Sequence, residues 1–137
     1  MRKTEYYIVG IRPVKFVPLP EGGLSIRKMN WQTGVFEYGI EYLARASSSS
    51  ADVDHVSEDD FIQQVESLRA RRLKGEGPIF ALYQMVNAME DTAKAQGRRL
   101  TNDEEDLIAE LRRQTYEMFQ SEHPDDTSIP PRPAAAP

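Results

Sequence analysis

The apolar residues of this chain change period once, and that switch limits its fold more than any other feature. Up to about residue 45 they alternate with polar ones; beyond about residue 57 they recur every three or four positions. Alternation puts successive side chains on opposite faces of a strand, whereas the longer period builds one stripe along a helix. In the run Val35 to Leu43, Phe36, Tyr38, Ile40 and Tyr42 share one face, with Glu37, Gly39 and Glu41 on the other, which predicts a half-buried strand. Glu5 to Arg12 and Val14 to Leu19 are rich in aromatic and β-branched residues. Between them Pro13 cannot donate to a central ladder and predicts a bend or a sheet edge. Turn chemistry at Pro18, Pro20, Gly22 and Gly23 then sends Leu24 to Trp31 back as a further strand. Connections this short join antiparallel neighbours.

Ser47 to Ser50 and the acids Asp52 and Asp54 read as a solvated linker, residues 46–56. Three helices follow. Ser57 with Asp60 has the form of a capping box, and Phe61, Val65 and Leu68 repeat at i, i+4 and i+7. Arg69, Arg71, Arg72 and Lys74 crowd the end of that helix, where the dipole favours cations. Pro78 opens the second helix, carrying Ile79, Leu82, Tyr83, Val86 and Met89, and Gly97 ends it. Thr101 and Glu104 form a second box ahead of Leu107, Ile108, Leu111, Met118 and Phe119, a helix that runs to about Gln120. The pattern is α+β: an N-terminal antiparallel sheet of three to four strands, then three helices packed on one of its faces. Residues 1–121 form one domain (strands 5–45, linker 46–56, helices 57–121). Residues 122–137, with five of the nine prolines, form an extended, mobile tail.

With 137 residues, one core is the expectation. The absence of cysteine excludes disulfides, thiolate metal sites and cysteine nucleophiles. No apolar run reaches the roughly 18 to 20 residues that span a bilayer, and no export signal is evident, so a cytoplasmic protein without a membrane partner is expected. Catalytic groups are sparse: His55 lies in the linker and His123 at the start of the tail, and no serine has a nucleophile-elbow context. The acids from Asp52 to Asp60 miss the calcium-loop spacing, and Lys74-Gly75-Glu76-Gly77-Pro78 follows a helix where a phosphate loop follows a strand. No catalytic residue, metal or cofactor is therefore assigned.

What remains is binding. Trp31 stands beside the Gln32 to Gly34 turn, where a large ring is only partly covered, and tryptophan is enriched at interfaces. Residues 61–100 hold seven basic and four acidic side chains despite a net charge of −5 for the chain, so Arg69, Arg72 and Lys74 join Trp31 as candidate binding residues. The expected activity is non-catalytic protein binding, as an adaptor, a regulatory or inhibitor subunit, or a small assembly component. The partner docks on a sheet edge or a helical surface, and an uncovered edge also admits strand pairing with a second copy. The alternative is nucleic-acid binding by the basic end of the first helix. Pro130, Pro131, Arg132 and Pro133 match a minimal polyproline motif, for which a soluble terminus is the simpler account.

Overall fold

The computed structural model describes residues 3–47 and 52–128. It is α+β, with five antiparallel strands, β1 (Glu5–Val9), β2 (Arg12–Pro18), β3 (Leu24–Met29), β4 (Phe36–Tyr38) and β5 (Val53–Val56), in the order β4-β3-β2-β1-β5. A short helix α1 (Tyr42–Ser47) precedes β5, and α2 (Glu58–Arg72), α3 (Pro78–Ala95) and α4 (Asn102–Glu122) follow it.

The register divides the side chains between the two faces. Tyr6, Lys15, Arg27 and Tyr38 make one cross-strand row, and Tyr7, Val14, Lys28 and Glu37 make its neighbour on the opposite face. On the first face Met29 and Phe36 meet Phe61 and Val65 of α2, with Tyr6, Ile8, Val56 and Tyr116 packed around them. Each such fully buried Phe, Val or Met contributes roughly 1.5–3 kcal/mol. On the second face Val9, Val14, Phe16 and Ile26 pack with Ala46 of α1. Helices α3 and α4 close on one another through Ile79, Tyr83 and Phe119, and through Val86, Ile108 and Leu111, and Ala70 of α2 packs against the first of these groups.

Four expectations about the sheet need correction. The sheet has a fifth strand, because Val53–Val56, read as linker, pairs antiparallel with β1 (Tyr6↔Val56, Val9↔Val53). The run Val35 to Leu43 is a strand only at Phe36–Tyr38. Beyond it the Gly39 amide bonds to the Ile26 carbonyl (2.8 Å), the chain turns into α1, and Ile40 faces solvent. Helical cover is on both faces, α1 lying opposite the long helices. Pro13 lies near the start of the central strand β2, tolerated because the β2–β3 register begins one residue later, at Val14↔Lys28.

The helix boundaries follow their caps. Ser57 Oγ accepts from the Asp60 amide, and the Thr101–Glu104 box is complete in both directions. Gly97, at φ 64, ends α3 in the left-handed region, with the Arg98 amide reaching back to Ala93 (3.0 Å). The segment after α4 returns to the sheet: the Asp126 amide donates to the Phe36 carbonyl (2.8 Å), and Glu37 and Asp126 form a parallel bridge beside β4. Residues 123–128 are thus attached, where the sequence suggested a free tail. The serines from Ser48 to Ser50 and the polyproline motif lie outside the described residues.

Candidate protein interface

Trp31 is held by the turn that follows β3. The Asn30 carboxamide oxygen accepts from the Gln32 and Thr33 amides (2.8 and 3.0 Å), and the Gly34 amide donates to the Asn30 carbonyl (2.8 Å). One side of the indole packs on the Met29, Phe36, Phe61 and Val65 cluster, leaving it half-buried. Two guanidinium groups lie over the ring, Arg72 at 4.2 Å and Arg12 at 4.7 Å from the centroid. Each such contact contributes about 0.5–1 kcal/mol at an exposed site.

The two arginines differ in freedom. Arg12 Nη1 donates to the Met29 carbonyl (3.1 Å), and its guanidinium lies 5.7 Å from the centre of the Tyr42 ring. Arg72 is exposed in the last turn of α2 and has no ion pair among the described residues. Among the described residues, three of the five large exposed apolar side chains are close to these residues in sequence: Ile11 (58% exposed) adjoins Arg12, Leu43 adjoins Tyr42, and Ile40 precedes it by two. A tryptophan, a tyrosine and two arginines among exposed aliphatic groups form the composition that dominates binding energy in protein interfaces. The nearby carboxylate Glu41 is already engaged. Burial alone would raise it, but the Lys28 ammonium, with a smaller effect from Arg12, holds it below the usual range.

Arg69 is not part of this surface. It is fully buried and donates to the Gly34 carbonyl twice (3.0 and 2.7 Å), to Glu66 (2.9 Å) and to Gln120 (2.8 Å), with its guanidinium 3.8 Å from the Phe119 ring centre. No face of it is offered to a partner. Tyr83 donates to the other Glu66 oxygen (2.8 Å); burial first, then the Glu66 charge, pushes its phenol well above the usual value. Gln120 passes the network to Asp125 (3.0 Å), which holds Lys15 (2.7 Å) and Arg27 (2.8 Å).

Lys74 is exposed and, with Phe80 and Asn87, borders a hollow of about 400 Å³ beside the α2–α3 turn. Arg71 is matched by Asp91 (2.9 Å) and Glu90 (3.5 Å). The structure therefore joins Trp31 with Arg72, turns Arg69 inward and leaves Lys74 apart. His55 stacks on Tyr7 (4.8 Å) and His123 lies 4.9 Å from Phe119; both are exposed. Tyr6 donates to Glu58 (2.5 Å) between two hollows, of about 560 Å³ toward Lys3 and His55 and about 400 Å³ toward Arg113 and Tyr116. Burial and then Glu58 raise the Tyr6 phenol above its usual value. Among the described residues no group of three or more His, Asp or Glu is placed to hold a metal ion, and no helix is long and apolar enough to cross a membrane.

The chain matches no family model, no curated protein and no solved structure. Arg12 and Tyr42 were not identifiable from sequence. Arg12 reads there as the end of a strand and Tyr42 as an inward residue of an alternating run; the β1–β2 hairpin brings Arg12 over Trp31, and the β4–α1 turn brings Tyr42 near Arg12.

Proposed function

We propose that this chain is a non-catalytic protein-interaction module, of the adaptor, regulatory or inhibitor-subunit kind, that engages a partner protein through the Trp31 corner. The observation that carries this reading is the half-buried indole lying under two guanidinium groups, neither of them ion-paired with a carboxylate among the described residues. A ring already fixed by packing loses little entropy on binding, and Arg72 supplies a charge-assisted donor for a partner's acceptor. A reducing, cytoplasmic setting suits a chain without cysteine. The nucleic-acid reading is weaker, since Arg69 faces inward and Arg71 is matched by acids, leaving Arg72 and Lys74 as its basic contacts.

The test is affinity capture from the native source with the full-length chain, its Arg72→Glu variant and its Trp31→Ala variant. A protein retained in stoichiometric amount by the intact chain and lost from both folded variants supports the proposal. Retention indifferent to both substitutions, or retained material released by nuclease, overturns it. Arg72 is exposed, so the charge-reversal variant keeps the test valid if removing the indole loosens the core.

A further inference from the structure

The two edges of the sheet are in different states. Along β4 the chain's own Asp126 supplies a bridge and a backbone hydrogen bond. Along β5, no described segment pairs with the side turned away from β1. The register fixes which groups that side presents. The Gly10 amide donates to the Asp52 carbonyl (2.7 Å), which marks Asp52 and Gly10 as facing each other at a hydrogen-bonding position. Antiparallel alternation then turns Asp54 and Val56 toward β1, and the N–H and C=O groups of Val53 and His55 outward. Two donors and two acceptors thus stand in line on the open edge, where a further strand would add.

Charge determines which strand. Asp54 is exposed on the face that carries Tyr6, and Glu58, the Tyr6 acceptor, lies on the same side. The hollow of about 560 Å³ at the end of β5 is lined by Glu5 and Glu58 against one lysine, Lys3. Antiparallel pairing with a second copy must match outward residues with outward residues. Centred on Asp54 it sets Asp54 against itself, and centred on Val53 it sets Asp54 against Asp52, which is already paired with Arg45 (2.5 Å). Centred on His55 it sets Asp54 opposite Val56. No register brings a counter-charge to Asp54, and like charges directly opposite destabilise a strand pair.

We infer that the open edge of β5 receives an extended, basic segment of another protein, with a lysine or arginine opposite Asp54 and a second basic side chain toward Glu58. This surface is separate from the Trp31 corner and does not depend on it. The outward peptide groups hold the segment by strand addition, and the two acids select its composition and reject a copy of this chain.

Two capped seven-residue peptides, one alternating Thr and Lys and one alternating Thr and Glu, titrated into the isotope-labelled full chain at low salt, test the inference. The lysine peptide is expected to shift the amide resonances of Val53 and His55 and to bind roughly fivefold tighter than the glutamate peptide, the scale of cross-strand charge pairs. Asp54→Lys should reverse that preference, and His55→Pro, which removes an outward N–H without breaking a bond to β1, should abolish binding of both. Arg72→Glu should leave the titration unchanged, so failure at the Trp31 corner and failure at this edge are distinguishable. No response at Val53 and His55, an equal response to both peptides, or protection of these amides that grows with protein concentration in the free chain would overturn it.

Discussion

The Arg69 guanidinium is as inaccessible as the neighbouring phenylalanines, and its donors are satisfied by Glu66 on its own helix, Gln120 on α4 and the carbonyl of Gly34 in the Trp31 turn. A buried pair adds little over an apolar one, but removing one partner strands the other. Arg69→Met should therefore cost about 3–5 kcal/mol in urea unfolding, because Glu66 keeps only the Tyr83 hydroxyl. Adding Glu66→Met should recover part of that loss; a double variant whose cost equals the sum of the two single variants would show that the groups act independently. Gly34 is the other constrained residue. Its φ of 73 lies in the left-handed region, and an added Cβ would sit 2.7 Å from Leu73 Cδ1 and 3.2 Å from Phe119 Cζ. Gly34→Ala should destabilise by roughly 1–3 kcal/mol through strain and overpacking. Since the same turn holds Trp31, the variant should also increase solvent quenching of the indole fluorescence.

Among the elements, α4 is the most locally encoded. Thr101 Oγ1 accepts from the Glu104 amide (3.1 Å), the Glu104 carboxylate accepts from the Thr101 amide (2.8 Å), and Arg98 first, then that amide, lowers the carboxyl to about 2. Thr101→Ala should cost about 1 kcal/mol by thermal or urea unfolding, and Thr101→Ser should restore most of it. All three long helices were legible because a cap and a stripe are short-range patterns, readable at Ser57, Gly97 and Thr101 without knowledge of the fold. β5 was not legible. Its four residues, Val53-Asp54-His55-Val56, sit in an acidic stretch, and pairing with Tyr6 to Val9 across more than forty positions makes them a strand. The end of β4 was hidden for the opposite reason: alternation continues through Ile40 and Tyr42, although the backbone has already turned at Gly39. The candidate site divides the same way. Trp31 was marked by its turn and Arg72 by its position at a helix end, but the inward aim of Arg69 depends on a carbonyl 35 residues away.

Across the whole molecule, one chain of polar contacts runs from Tyr83 on α3 through Glu66, Arg69 and Gln120 to Asp125, Lys15 and Arg27, tying the helices and the C-terminal segment to the centre of the sheet. Asp125 is the keystone for charge. Burial alone would raise its carboxyl, but Lys15, Arg27 and Gln120 outweigh that and hold it below the usual range. Burial lowers the Lys15 ammonium from its usual value, and Asp125 is the main group opposing that shift. The pH dependence follows. A carboxyl that is more acidic folded than unfolded stabilises the fold above its unfolded value of about 4, and this contribution is lost as pH falls through the folded value. Asp125→Asn should therefore cost on the order of 3 kcal/mol at pH 7, from a buried lysine left without its counter-ion, and the gap to the unsubstituted chain should narrow below about pH 4. On the alkaline side the sign is opposite. In the variant Lys15 is lowered further, so between its folded value and the unfolded value of about 10.4 the unfolded chain holds more protons, and the variant should regain stability as pH rises. Urea midpoints of both proteins from pH 3 to about pH 9.5 test this. A gap that stays constant across the range would show that Asp125 anchors the C-terminal segment by shape and hydrogen bonding alone.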